Sequence, residues 1–235
     1  MALTGETPDA RTRSRFAGAP WWPKACADPC DKAGRPLWPI LQIDFAETPR
    51  LDPLPSEGIL QFFVGGDFLC GLHCDDLTAP EGFGCRFHTD LTQETLDDFS
   101  FLREDATVEC LSPIADPLSP SGLRFALSAM PIGVGDHRFR ALPPLIAEEE
   151  APTDAYFYWL EARLGDLWLG GHPTFAQTDP RRDPRIAQRS DFTLLTFRAI
   201  ERLSWGDMGS AQFFMTAEDL RARDFSRVVY NWDCH

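Results

Sequence analysis

The chain has 235 residues, with 22 basic against 36 acidic side chains and a net charge of −14. That balance excludes nucleic acid as a partner, because phosphate binding needs a basic surface, and no apolar run of about 18 residues is present to span a bilayer. Apolar residues at 43% and charged residues at 25% suit a globular chain with a sizeable core, while 20 prolines and 17 glycines favour turns over long helices.

In chain order, residues 1–14 are polar, lack an apolar signal core and read as a frayed tail. Together with seven irregularly spaced cysteines, this points to a reducing, cytoplasmic setting. From Phe16 to Pro39 the chain is rich in proline and turn signals. Trp21, Trp22 and Trp38 stand in or beside this loop. They read either as an aromatic surface for a peptide or, preferably, as a plug at the end of a sheet. Pro39–Phe45 is the first strand, and Gly58–Val64 the second. Gly65-Gly66-Asp67 is a turn after which Phe68–Cys74 pairs back as a hairpin. Phe83–His88 is a further strand. Leu96, Phe99 and Leu102, three apart, allow a short helix, and Thr107–Leu111 and Leu123–Leu127 read as strands.

The best helix runs from Thr153, its cap, to Gly165, with Tyr156, Trp159, Leu160 and Arg163 along one stripe. Arg181, Arg182, Arg185 and Arg189 make a basic island in an acidic chain. Phe192–Ala199 and Gly209–Met215 are strands. A helix capped by Thr216 follows to about Arg223, with Glu218 and Asp219 at its positive end, and Val228–Trp232 closes the chain as a strand.

Three blocks recur in the same order. Gly18-Ala-Pro20 returns as Gly171-His-Pro173, Leu41-Gln-Ile43 as Leu195-Thr-Phe197, and Gly58-Ile-Leu-Gln61-Phe-Phe as Gly209-Ser-Ala-Gln212-Phe-Phe. The offsets are 153, 154 and 151 residues, far beyond solenoid periods. The expected fold class is therefore α+β, a strand-rich single body built from two duplicated, diverged halves related by a pseudo-twofold. The halves span about 15–110 and 165–235, with a divergent middle at 111–164.

No motif in the chain commits it to catalysis. A glycine-rich phosphate loop and a nucleophile elbow are both missing from the sequence. Cys26, Cys30, Cys70, Cys74 and Cys85 with His73 have poor spacing for zinc, and Cys70 reads as a small core hydrophobe. His172 reads as a turn histidine, and Cys234 as an ordinary thiol. Asp207 is expected to accept backbone N–H bonds in a turn. A rival reading places Gln61, Gln177, Asp207 and Gln212 around a binding cleft between the halves. Buried amides recognise polar groups and do not perform acid–base work, and the twin glutamines are expected to bond strand edges or each other. No catalytic residue, metal or cofactor is assigned.

The blocks Arg15-Phe-Ala-Gly18-Ala-Pro20, Leu41-Gln-Ile-Asp-Phe45, Leu54-Pro-Ser-Glu-Gly58-Ile-Leu-Gln-Phe-Phe63, Gly170-Gly-His-Pro173-Thr-Phe-Ala-Gln177, Trp205-Gly-Asp-Met-Gly209 and Asp224-Phe-Ser-Arg227 resemble the YwqG-like family, a bacterial domain family of unknown function. The resemblance runs from about Arg15 to the C-terminus and implies a duplicated α+β arrangement. It brings no catalytic residues. Some relatives are thought to accompany bacterial toxins, which implies an immunity-type role. The expected function is thus non-catalytic binding of a protein partner, with an enzyme or small-ligand binder using the inter-half cleft as the alternative.

Overall fold

The computed structural model describes residues 1–27, 29–99, 112–141 and 150–235. One sheet runs β1 (Ala2–Leu3), β6 (Ser121–Arg124), β2 (Arg15–Phe16), β3 (Leu37–Asp44), β4 (Ile59–Gly65) and β5 (Phe83–His88). The other runs β10 (Val229–Asp233), β9 (Ser210–Met215), β8 (Phe192–Arg198) and β7 (Leu167–Leu169). Every ladder is antiparallel. Three α-helices accompany them among the described residues: α1 (Glu150–Glu161), α2 (Pro184–Ala187) and α3 (Ala217–Ala222).

Strand alternation decides how the sheets meet. Leu60, Phe62 and Val64 lie on one face of β4, and Ala211, Phe213 and Met215 on one face of β9. Both sets belong to a single buried cluster. Phe62 and Phe213 meet edge to face at 5.0 Å, and Phe16 meets Phe197 at 5.7 Å. Each such buried side chain contributes about 1.5–3 kcal/mol as an upper bound. The remaining faces of β4 and β9 are also buried, under separate caps. Trp22 and Leu37 cover Phe63, and Phe175 covers Phe214.

The strand sets β2-β3-β4-β5 and β7-β8-β9-β10 have the same order and direction. Their irregularities coincide as well. The β3/β4 register shifts between Pro39 and Leu41, and the β8/β9 register between Thr193 and Leu195. A left-handed pair follows the first strand of each set, Ala17 and Gly18 after β2 and Gly170 and Gly171 after β7. At both Gly58 and Gly209 a Cβ would strike the carbonyl ending the next strand, that of His88 or of Asp233.

Several expectations are corrected. Residues 1–14 are not a frayed tail: β1 pairs with β6, the Met1 amine donates to Leu167 O, and the Gln42 amide donates to Arg11 O and Arg13 O. Phe68–Cys74 does not pair with β4, whose partners are β3 and β5. Cys70 and Gly71 both have positive φ, and Asp67 Oδ1 accepts from Leu69 N and Gly71 N, so this stretch curls into turns. Leu96 and Phe99 pack against the Trp22 cap outside any helix, while Leu102 and Thr107–Leu111 lie outside the described residues. Helix α1 starts earlier than Thr153, because Pro152 fits a first helical turn. Thr216 caps α3 as expected, its side chain accepting from Asp219 N.

Candidate functional site

The four residues of the anticipated cleft do not converge. Gln61 and Gln212 lie on the outer faces of the two sheets, on opposite sides of the shared core, so they neither meet nor bond each other. Each performs the same local task. Gln61 Nε2 donates to the carbonyl of Trp21, and Gln212 Nε2 donates to that of Thr174 at 2.8 Å. Trp21 and Thr174 each follow the proline of a repeated Gly-x-Pro turn. The central-strand glutamine therefore fastens the incoming loop to its sheet.

Both amides are fully used. Gln61 also donates to Gln42 Oε1 at 2.9 Å and accepts from His88 Nε2 at 3.0 Å. Gln212 also donates to Ser210 Oγ at 2.8 Å and accepts from Asn231 Nδ2 at 2.6 Å. Gln177 and Asp207 lie elsewhere, at the chain's end. Gln177 Nε2 donates to Cys234 O, and the exposed Asp207 accepts from His235 N through its backbone carbonyl, not its carboxylate.

Trp21 and Trp22 form no exposed aromatic surface, since each is 2% exposed. Both rings pack edge-on to His88, at 5.0 and 5.6 Å, and Trp22 also meets Phe63. They cap the outer face of the first sheet, with Trp38 on the strand below. Burial and the nearby Arg86 charge pull the His88 pKa down to about 4.

An unfolded histidine titrates near 6.5, so the unfolded chain binds a proton that the folded chain refuses below that pH. Stability is complete above about pH 6.5 and falls as the pH drops towards 4. Each unit is worth about 1.4 kcal/mol, and with partial exposure discounted the loss is about 2 kcal/mol. Urea denaturation across pH 4–7 is expected to show this slope in the wild type and to lose it in His88→Gln.

A second cluster of titratable groups caps the other sheet. Asp136, Asp179 and Arg181 are all at most 2% exposed. Arg181 donates from Nε to Asp179 Oδ1 at 3.0 Å and from Nη2 to Asp179 Oδ2 at 2.8 Å, and its Nη2 lies 3.1 Å from Asp136 Oδ2. Its guanidinium sits 4.9 Å from the Phe214 ring centroid. Arg138 closes the far side, donating to both oxygens of Asp136 at 2.9 and 2.6 Å.

Burial alone would raise both carboxyl groups. For Asp136 it is outweighed by hydrogen bonds from Arg138 and His172 and by the Arg181 charge; for Asp179, by Arg181 and the His137 N–H. Both are therefore held below the usual carboxylate range. Two histidines flank the pair: His137 Nδ1 is 3.0 Å from Asp179 Oδ2, and His172 Nδ1 is 3.1 Å from Arg138 Nη2.

Asp136, His137 and Asp179 bring three ligand atoms within 4.8 Å of one another. The set fits a metal ion poorly, because Arg138 and Arg181 already neutralise both carboxylates and fill the positions a cation would take.

The sequence shows Arg181 only as part of a basic island and His172 only as a turn histidine, and gives Asp136 and Asp179 no role. A usable signal was present. Asp136-His-Arg138, Asp179-Pro-Arg181 and Asp183-Pro-Arg185 share an Asp-x-Arg pattern, and each aspartate accepts both the backbone N–H and the guanidinium of its arginine.

No helix among the described residues is long and apolar enough to cross a membrane. No curated protein matches the chain. The model of DUF1963, a domain of unknown function, matches residues 14–234, taking in every strand but β1 and both caps. The chain therefore belongs to the DUF1963 family.

Proposed function

We propose that this chain is a YwqG-like member of that family, a duplicated cytoplasmic protein that binds a basic protein partner without catalysis. The matching strand order, coincident bulges and paired glutamine anchors support the duplication and its pseudo-twofold. The observation that carries the binding role is helix α1. It is tied to the body by buried Leu160 and by Tyr156, whose hydroxyl donates to Ile132 O at 2.7 Å. Beside these, three successive aromatics stand exposed: Phe157, Tyr158 at 71%, and Trp159, with Arg163 over the Trp159 ring.

Interface cores are enriched in such aromatics, and binding hot spots more so. A net charge of −14 steers a basic partner towards them. A basic toxin neutralised by an immunity-type protein is the concrete form of this reading, and the YwqG-like resemblance supplies its only hint.

Immobilised wild type, Tyr158→Ser/Trp159→Ser and the distant exposed-site control Phe68→Ser separate the outcomes. The wild type and the Phe68 variant are expected to retain one basic polypeptide that raised salt releases. The α1 double variant should bind it at least about tenfold more weakly, as for a hot-spot loss. Equal retention by all three proteins sinks the reading.

A further inference from the structure

We propose that an open cavity between the 31–35 turn and the 67–82 loop binds a small α-amino acid, at a site sharing no residue with the α1 surface. The cavity has a volume of about 260 Å³ and is lined by Lys32, Arg35, Asp67, His73 and Glu81 among others. Its walls are preformed. Asp31 Oδ1 accepts from Ala33 N and Arg35 N, and Oδ2 from Arg35 Nε at 2.6 Å, which fixes the turn. On the loop, Asp67 Oδ1 accepts from Leu69 N and Gly71 N. Gly71 packs so closely on Gly82 that a Cβ there would lie 1.7 Å from the Gly82 carbonyl oxygen. Strand β10 clamps the same loop, Tyr230 Oη donating to Cys70 O at 3.2 Å and Trp232 Nε1 to Leu69 O at 2.6 Å.

The charges on these walls satisfy one another only in part. Lys32 Nζ donates to Glu81 Oε1, but Glu81 Oε2 stands 3.8 Å from His73 Nε2. Asp67 Oδ2 likewise stands 4.0 Å from Arg35 Nη2. Both gaps are too long for a hydrogen bond and suit an intervening polar group. Asp67 and Glu81 thus each keep an acceptor oxygen on the cavity wall, and the Lys32 ammonium has three donors, one of which goes to Glu81.

Lys32 and Arg35 share the cavity with three carboxylates, those of Asp31, Asp67 and Glu81. A simple anion meets that excess of negative charge, and a simple amine has nothing to offer the two cations. A zwitterion answers both signs, its ammonium taken by Asp67 and Glu81 and its carboxylate drawn by Lys32 and Arg35. Among the described residues the lining has no Trp, Tyr or Phe to cage a quaternary ammonium, so the ligand's ammonium is one that carries N–H donors. Ala33 and Leu72 supply an apolar stretch of wall for a short aliphatic side chain.

Amide ¹H–¹⁵N spectra of the whole chain test this, because Gly71 and Gly82 report from the wall itself. L-Alanine is expected to shift both signals saturably below about 50 mM. Ethylamine, acetate and trimethylglycine should each bind at least about tenfold more weakly, lacking one of the charge-assisted bonds. Asp67→Asn keeps the Oδ1 that holds the loop, and it and, independently, Glu81→Gln should each raise the Kd for L-alanine at least about tenfold. Near-UV circular dichroism should be unchanged. Should Asp67→Asn disturb the loop, Glu81→Gln decides alone. No saturation by L-alanine, or unaltered affinity in a folded variant, overturns the site. Ethylamine or acetate binding as tightly as L-alanine overturns the zwitterion assignment, and trimethylglycine binding as tightly overturns the N–H-bearing ammonium.

Discussion

Replacing Arg181 with methionine is expected to cost the fold about 3–5 kcal/mol, the usual penalty for stripping one partner from a buried ionic group. Methionine keeps much of the contact with Phe214, so the loss reports charge more than volume. Asp179 would lose two donated hydrogen bonds, from Arg181 Nε and Nη2, and Asp136 would lose its 3.1 Å contact with the same Nη2. The pH dependence distinguishes this from a packing defect.

In the wild type both carboxyl groups are held low, so their stabilisation is present above the unfolded value near 3.9 and lost only as pH falls below it. In the variant burial is less opposed and the folded values rise. Protonation then relieves the buried charge, so the deficit against wild type should be largest near pH 7–8 and shrink towards pH 5. Urea denaturation at several pH values measures it, and a pH-independent deficit contradicts the assignment of Asp136 and Asp179 as ionised partners.

The strands were legible wherever alternation and a boundary residue coincided. The Gly58 and Gly209 strands announce themselves because both faces are apolar apart from one glutamine each and, in the second, Ser210, and a glycine marks the close approach of a neighbouring carbonyl. The turn-rich links were not legible in the same way. Phe68–Cys74 has strand-like composition, yet the local bonds from Asp67 and the left-handed Cys70–Gly71 pair override it.

The glutamines are legible as matching strand positions, but what they bond to is not. Period-two alternation places Gln61 and Gln212 opposite Phe62 and Phe213 without saying which face meets the other sheet. The face richer in large apolar groups turns inward, which sends both amides outward to the loops. The ionic cap escaped notice because Asp136 and Asp179 are distant in sequence and lie in turns, where neither helical nor strand periodicity operates.

The same anchoring logic gives two unequal losses. Gln61→Leu removes the donor to the buried Trp21 carbonyl and the acceptor for the partly buried His88 Nε2. Each unsatisfied buried group costs about 1–3 kcal/mol, so a total of about 2–4 kcal/mol is expected. Gln212→Leu should cost less, about 1–3 kcal/mol, because Thr174 O keeps a second donor in Ser210 Oγ at 3.1 Å. The difference also has a local signature. Freeing Trp21 loosens the loop whose amide is held by Gln42, so Gln61→Leu should raise hydrogen exchange at Trp21 and Trp22, whereas Gln212→Leu should raise it at Thr174 and Phe175. The glutamines share no hydrogen-bond partner, so the double variant should show additive losses within about 0.5 kcal/mol. A larger departure would mean that the loops communicate through the Phe62–Phe213 contact and the core around it, making the two sheets one cooperative unit at these positions.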